Sequence, residues 1–206
     1  MCAFRKGKEA LPISSPLTNQ SARSPIEHIP SLRGHPDAAL AKPIAAEMAA
    51  WRAALGRAYA SFDAVAVSWE ICKTSGTRAG HMQSQVVPIP RHMAAGLPAV
   101  FREAAEKYEY RMVEEEEEVQ RYLDLDRASS ETQDYFRLDI HDKTWFMPLP
   151  RGQRFYLQFP RETLANYLGQ SDRIDWRQCA RSEAIERAET KAFKAAFDEY
   201  AEGIGG

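Results

Sequence analysis

The chain has 206 residues, of which 44% are hydrophobic and 27% are charged, and its formal net charge at pH 7 is −2. This is ordinary globular composition, with enough residues to bury a sizeable core. The nearly neutral charge provides no overall attraction to nucleic acid or anionic membranes, so such a partner would need a local patch. No apolar run approaches the ~20 residues of a membrane-spanning helix. The N-terminus also lacks the apolar core of a signal peptide, and we therefore expect a cytosolic or nuclear protein.

The cysteines indicate a reducing compartment. Cys2, Cys72 and Cys179 lie far apart in the chain and form no CxxC pair. Neither a disulfide framework nor a zinc site is indicated, and we predict no metal and no cofactor.

The first half of the chain predicts two helices and a pair of strands. Residues 1–24 show no sustained period and are predicted to be a disordered or truncated leader. Apolar residues recur every three or four positions over 37–60, which predicts an amphipathic helix. The segments AVAVSWEI (64–71) and HMQSQVVPIP (81–90) predict an antiparallel pair of strands. Residues 97–109 predict a second amphipathic helix.

A change in composition separates this half from the next. The run EEEEE and the polar stretch after it predict an acidic linker over 113–133. The linker divides a first domain, 25–112, from a second domain, 134–202. Glu114–Glu118 would then form either a solvated helix face or part of the linker itself.

The second half predicts a hairpin, a further strand and two helices. YFRLDI and KTWFMPL alternate in polarity around a turn-like HD, and RGQRFYLQFPRE predicts another strand. RETLANYLG predicts a short helix closed by Gly169. Ser182–Tyr200 predicts a long final helix. The fold class is therefore α+β.

Several segments together resemble a known family. PIEHIPSL and HMQSQVVPIP, followed by YFRLDI, RFYLQFPRETLANYLG and IDWRQC, are similar to the C-terminal region of the CwfJ family, spliceosome-associated proteins related to the histidine-triad (HIT) superfamily. The resemblance covers roughly residues 16–202. It implies a HIT-like antiparallel sheet with helices, followed by a smaller α+β block.

One segment departs from the family pattern. Family members usually carry an apolar strand between segments like SPLTN and SPIEHIPSL, whereas only the polar residues Gln20 to Arg23 fill that interval here. We therefore expect either a truncated or misassembled gene product or a HIT-like sheet without its first strand.

The polar face of the 81–90 strand carries the predicted pocket. His81, Gln83 and Gln85 share one face, because side chains alternate along a strand. The resemblance places Gln83 at the position of the nucleophilic histidine, and an amide nitrogen has no usable lone pair. Gln85 replaces the third histidine and cannot supply a proton of tunable pKa. The superfamily's covalent chemistry is therefore predicted to be lost, which makes the chain a pseudoenzyme.

The same face retains hydrogen-bond donors for a phosphate or nucleotide. His28 matches a histidine that follows the second strand in many HIT proteins, and Lys73 and Arg78 flank the preceding loop. With His81, Gln83 and Gln85 they form the predicted pocket. The alternative is a solvated polar strand face with a hydrogen-bonded histidine and no ligand.

The second half offers a basic and aromatic surface. Arg151, Arg154, Tyr156 and Arg161 are the predicted exposed residues that contact RNA or a partner. Phe155, Leu157 and Phe159 alternate with them and are expected to fill the core against the final helix.

The family resemblance implies a nuclear factor in pre-mRNA splicing or intron-lariat turnover, with the cytoplasm as a further location. The implied partners are spliceosomal proteins, a lariat-debranching enzyme and intron-lariat RNA, with no membrane. Two alternatives stay open. One is a HIT-type nucleotide hydrolase or transferase with a rearranged site, and the other is an unstable fragment without independent function.

Overall fold

The computed structural model describes residues 21–23, 31–33, 38–73, 82, 84–125, 134–150 and 153–204. Its strands are β1 (Ser21–Arg23), β2 (Ala64–Cys72), β3 (Ser84–Pro90), β4 (Tyr135–Ile140) and β5 (Lys143–Pro148). Its α-helices are α1 (Ala38–Ala60), α2 (Arg91–Ala94), α3 (Leu97–Lys107), α4 (Glu116–Leu123), α5 (Phe159–Tyr167) and α6 (Glu183–Phe197). Short 3₁₀ turns occupy Ser171–Arg173, Trp176–Cys179 and Asp198–Tyr200. None of the helices in these ranges is long and apolar enough to cross a bilayer.

The described strands form one antiparallel sheet in the order β1-β3-β2-β4-β5. Strand β2 lies at the centre, where it pairs with β3 on one side and β4 on the other. The predicted α+β class, the β2–β3 pair and the β4–β5 hairpin are confirmed. Because β4 and β5 come from residues 134–202, both predicted blocks of the chain contribute strands to the same sheet.

Strand β1 corrects the expectation for the leader. Ser21 lies opposite Val86 and Arg23 opposite Ser84, so three polar or small residues form an edge strand where no strand was expected. An edge strand is held by backbone hydrogen bonds along one side, so it does not require the apolar pattern of a central strand. A short, charged edge strand also discourages pairing with other chains. Residues 1–20 lie outside the described part of the chain.

The two faces of the sheet are covered by different helices. Helices α3 and α5 cover one face, where Phe101 and Phe159 meet at a ring distance of 6.0 Å. Helix α1 crosses the other face, with Leu55 and Tyr59 buried against it. The apolar spacing over 37–60 therefore predicted both the helix and its buried side.

The final helix packs on α1, which corrects its predicted contact with the aromatic strands. Phe197 of α6 stacks on Trp51 of α1 at 5.9 Å and on Phe193 at 5.1 Å. Ile185, near the start of this helix, is 47% exposed. Only the C-terminal part of α6 contributes to the core, because the aromatic residues that can fill it lie there.

The predicted strand over RGQRFYLQFPRE is wrong in its described part. Residues 153–158 are irregular or turn, and α5 begins at Phe159 with Pro160 in its first turn, a position that favours helix initiation. The backbone N–H of Tyr156 donates to the Tyr110 hydroxyl at 2.9 Å. This side-chain contact gives the Tyr156 N–H the acceptor that a neighbouring strand would otherwise supply.

The acidic stretch contains a packed helix. Val119 and Tyr122 of α4 are buried, and Tyr122 stacks on Phe146 of β5 at 4.9 Å. Just before α4, the N–H of Val113 donates to the Phe146 carbonyl at 2.7 Å. These contacts tie residues 113–123 of the predicted linker to the sheet, while residues 126–133 lie outside the described ranges.

Candidate functional site

The predicted nucleotide pocket falls largely outside the described residues. Four of its six residues are not among those described: His28, Arg78, His81 and Gln83. Gln85 is half-buried on β3, directly opposite Trp69 of β2, and Lys73 is half-buried just after β2. The pocket therefore stays a prediction.

The structure corrects one of the four residues that were predicted to contact RNA or a partner. Arg161 is buried, with 7% exposure, so it is not a surface residue. Its Nε donates to the carbonyls of Arg173 (2.7 Å) and Ile174 (3.1 Å), and one Nη lies 3.0 Å from Cys179 Sγ. Arg161 thus anchors the segment after α5. The strand prediction placed it outside, whereas the helix turns it inward. Arg151 lies outside the described residues.

The other two residues lie on a surface that the sequence did not delimit. Tyr156 is 37% exposed and its ring stacks on Tyr108 at 5.6 Å, while Tyr108 is 36% exposed. Leu157, predicted to be core, is 63% exposed because it lies in the turn before α5. Arg154 is exposed in the same segment. We call Tyr108, Arg154, Tyr156 and Leu157 the tyrosine surface.

Buried groups hold this surface in place. Tyr110 stacks under Tyr108 at 5.6 Å and is itself buried. Its hydroxyl accepts from the Tyr156 N–H at 2.9 Å and lies 3.4 Å from the Arg154 carbonyl. The aromatic rings are therefore fixed before any partner arrives, which lowers the entropic cost of binding.

One carboxylate contacts both exposed tyrosines. The Tyr108 hydroxyl lies 3.4 Å from each oxygen of Glu162, and Tyr156 also hydrogen-bonds Glu162. Burial raises the pKa of the Tyr108 hydroxyl, and the negative charge of Glu162 raises it further. The pKa of Tyr156 is raised by burial and by its hydrogen bond to Glu162. Both hydroxyls therefore remain protonated donors at neutral pH.

Sequence reasoning missed Tyr108 as a surface residue. The predicted second helix covered residues 97–109 and so included Tyr108, but α3 ends at Lys107 and Glu109 adopts a left-handed φ of 56°. This turn directs Tyr110 inward and leaves Tyr108 at the edge. The sequence EKYEY carries no glycine or proline that would have marked it.

A second polar group lies on the α1 side of the sheet. The carboxylate of Asp139 accepts from Arg137 Nε (3.0 Å), Thr144 Oγ1 (2.6 Å) and Ser68 Oγ (3.2 Å). On the same face of the sheet, the buried carboxylate of Glu70 accepts a hydrogen bond from the Tyr135 hydroxyl at 2.9 Å. We call these six residues the polar row. Alternation along AVAVSWEI and YFRLDI was the available signal, but the sequence could not show which side chains meet across strands.

Electrostatics in the polar row favour the ion pair. Burial lowers the pKa of Arg137, but the charges of Asp139 and Glu70 more than compensate, so its pKa is raised overall. Burial raises the pKa of Tyr135 well above its usual value, and the charge of Glu70 acts in the same direction. The row is thus internally satisfied, and among the described residues no buried side-chain nitrogen or oxygen lacks a partner. Within the same residues there is no cluster of metal-binding side chains.

Comparison with known proteins identifies the family. A family model described as "Protein similar to CwfJ C-terminus 2" matches residues 84–201, and one described as "Protein similar to CwfJ C-terminal" matches residues 11–102. The first model alone covers more than half of the chain. The chain therefore belongs to the CwfJ C-terminal family, and the predicted resemblance is confirmed.

The chain is also similar to part of two longer proteins. The chain is 32% identical over 177 residues to the CWF19-like protein mug161 of Schizosaccharomyces pombe, which corresponds to 85% of this chain and 29% of that protein. It is 30% identical over 196 residues to the zinc finger CCCH domain-containing protein 64 of Arabidopsis thaliana, or 93% of this chain and 31% of the relative. The chain thus spans less than a third of each relative's length.

Proposed function

We propose that this chain is a nuclear, splicing-related factor that binds a protein partner through the tyrosine surface and performs no covalent catalysis. Membership of the CwfJ family suggests the splicing-related role. The observation that carries the binding mode is the fixed, exposed pair Tyr108 and Tyr156 beside Leu157. Gln83, at the position that matches the HIT nucleophile, supports a non-catalytic role.

The charge around the tyrosines favours protein over RNA. A surface that binds a nucleic-acid backbone combines aromatic rings with several cations. Here Arg154 is the exposed cation of the tyrosine surface, and the carboxylate of Glu162 lies against both hydroxyls. Rigid tyrosines beside an arginine are instead typical of protein-binding hot spots, and the exposed Leu157 adds apolar area next to them. The partners we propose are spliceosomal proteins, including a lariat-debranching enzyme.

A pull-down tests this proposal. The tagged chain is incubated in nuclear extract, with and without ribonuclease, and bound proteins are identified by mass spectrometry. We expect splicing and debranching proteins to persist after ribonuclease. Leu157→Ser and Tyr156→Ala should each reduce their recovery about tenfold, equivalent to a loss of roughly 1.4 kcal/mol.

Ile185→Ser is the matched control, because Ile185 is also an exposed apolar residue but lies on α6. It should bind as the wild type does. Loss of the partners after ribonuclease would mean that RNA bridges them and would overturn docking at this surface. Equal recovery with Leu157→Ser and Ile185→Ser would also overturn it. Recovery of no splicing protein in either condition would reject the splicing-related partners.

A further inference from the structure

A cavity of about 550 Å³ lies between α1 and the sheet, on the face opposite Trp69 and Gln85. Pockets that bind small molecules are commonly ~300–1,000 Å³ in volume. The sheet forms one wall of the cavity, which four residues of the polar row line: Ser68, Arg137, Asp139 and Thr144. Helix α1 forms the other wall. The cavity shares no residue with the tyrosine surface, so it is a separate site.

Small residues on α1 create this space. Ala49, Ala53, Gly56 and Ala60 recur at spacings of four, three and four, so they lie along one side of the helix, facing the sheet. A Cβ atom added at Gly56 would meet nothing within 4 Å. Larger side chains in this stripe would close the gap between helix and sheet, as Leu55 and Tyr59 do elsewhere along α1. The cavity therefore has short apolar walls that can contact an organic group.

The charge within the cavity is predominantly positive. Four arginines and two aspartates line it: Arg52, Arg57, Arg91, Arg137, Asp139 and Asp142. Arg91 pairs with Asp63, and Arg137 with Asp139. Among the described residues, neither Arg52 nor Arg57 pairs with a carboxylate. Arg57 is exposed and donates to the Tyr200 carbonyl at 3.0 Å.

Arg52 is the residue for which an anionic ligand would matter most. Its side chain is half-buried, and it has no hydrogen bond or ion pair with the other described residues. Burial lowers the pKa of Arg52, and the nearby charge of Arg137 lowers it further. The planar guanidinium offers donors in a geometry that matches the oxygens of a phosphate or carboxylate. The charges of Asp139 and Glu70 act in the opposite direction, but neither carboxylate hydrogen-bonds Arg52. An incoming oxyanion would accept the hydrogen bonds that this guanidinium can donate.

We propose that this cavity binds a small organic oxyanion, with its phosphate or carboxylate group on Arg52 and its organic part against the alanine side of α1. The apolar walls select against a bare inorganic ion, because such an ion would leave them without contact. Asp139 makes no hydrogen bond to Arg52, and its oxygens accept instead from Ser68, Thr144 and Arg137.

Isothermal titration of the full chain with ribose 5-phosphate, citrate and inorganic phosphate tests this proposal. We expect one of the two organic probes to bind saturably with a Kd of about 1 mM or tighter, and inorganic phosphate to bind at least about tenfold more weakly. Preference for ribose 5-phosphate would identify the group as phosphate, and preference for citrate would identify it as carboxylate. Failure of both organic probes to bind would overturn the proposal.

Variants locate the site. Arg52→Gln should weaken binding at least about tenfold, since one charge-assisted hydrogen-bonding partner is lost, and Arg52→Lys should restore part of the affinity. Gly56→Leu fills the cavity without altering any charge and should abolish binding. Arg187→Gln is the control, because Arg187 is an exposed arginine of α6. If Arg52→Gln and Gly56→Leu, with wild-type circular dichroism, bind as the wild type does, or if Arg187→Gln weakens binding equally, the anion binds elsewhere and the proposal is wrong.

Discussion

On one face of the central sheet, Trp69 of β2, Leu138 of β4 and Trp145 of β5 belong to one apolar cluster. On the other face, the next residues along β2 and β4, Glu70 and Arg137, belong to a polar row. Both faces are built by the same strands, because successive side chains alternate. Helices α3 and α5 seal the first face with aromatic rings, whereas α1 leaves a cavity over part of the second.

The difference between the faces separates stability from binding capacity. An apolar cluster gains free energy from every methylene removed from water, and its side chains offer few hydrogen bonds to a ligand. A polar row gains little net free energy, because its groups exchange hydrogen bonds with water for internal ones. It can, however, hold charge in a fixed position. We therefore expect substitutions on the first face to cost the most stability.

The largest effect is expected for Phe136→Ala on the apolar face. Phe136 has no exposed surface and its ring lies 5.6 Å from Phe155 and 5.7 Å from Phe159. Truncation removes these contacts and leaves a cavity, so the free energy of unfolding should fall by about 3–5 kcal/mol. Urea denaturation measures it. Leu157→Ala, at an exposed leucine, should change the same quantity by less than about 0.5 kcal/mol. Equal losses for the two variants would contradict the assignment of this face as the main core.

Substitution of Asp139 tests the polar row. Asp139→Ala removes the acceptor for Arg137, Ser68 and Thr144, and we expect a loss of about 2–3 kcal/mol in the free energy of unfolding. Asp139→Asn keeps an oxygen acceptor and should lose about half as much. The measurement is again urea denaturation, with a constant m-value as the check on two-state unfolding.

The double substitution Arg137→Met with Asp139→Leu sharpens the comparison. Replacing a buried ion pair by apolar residues of similar volume is often neutral, so this variant should be more stable than Asp139→Ala alone. If it is instead as unstable as Asp139→Ala, the row contributes net stability in the way the apolar face does, and the contrast between the faces fails.

Much of the secondary structure followed from local pattern. The periodicity over 37–60 predicted α1, and the alternation of YFRLDI and KTWFMPL predicted the hairpin, because each pattern matches the geometry of a single element. The strand assigned around Phe155 failed because alternation over a few residues was mistaken for pairing. Pro160 was the competing signal, and it marked the helix start instead.

The candidate sites were less predictable, because they depend on contacts between distant residues. Tyr108 and Tyr156 stack on each other although they lie far apart in the chain. Tyr110 joins the two segments through its hydrogen bond to the Tyr156 N–H, and no local pattern in the sequence records these contacts. Arg161 looked like a surface cation until α5 turned it toward Arg173 and Ile174. Arg52 lies at a half-buried helix position whose significance appears only once the sheet wall opposite is known.

A pH effect is expected on the polar side of the sheet at Cys72. Burial raises the pKa of the Cys72 thiol to about 12, from an ordinary value of 9.0. Because the folded state holds this proton more tightly, the stabilisation is complete below pH 9 and is lost as the pH rises from 9 towards 12. Between pH 8 and pH 10 this thiol should therefore reduce the free energy of unfolding by about 1.4 kcal/mol.

Cys72→Ala isolates that contribution. Tyr135, whose pKa is also raised by burial, reduces stability in the same direction at high pH in both proteins. The difference between wild type and Cys72→Ala in urea denaturation at the two pH values therefore reports the thiol alone. An equal loss in both proteins would show that Cys72 is not held protonated by its burial against Tyr135 and Phe146.

The smallest effect is expected for Gly56→Ala on α1, above the cavity. The added methyl group meets no atom within 4 Å, and alanine is favoured over glycine in a helix interior. The free energy of unfolding should therefore rise by up to about 1 kcal/mol. Gly169→Ala is the matched substitution, and it should be destabilising because Gly169 adopts a left-handed φ of 66° just after α5. Thermal denaturation of both variants measures the contrast. A destabilised Gly56→Ala protein would mean that α1 lies closer to the sheet in solution, and the cavity on the polar side would then be smaller than the structure shows.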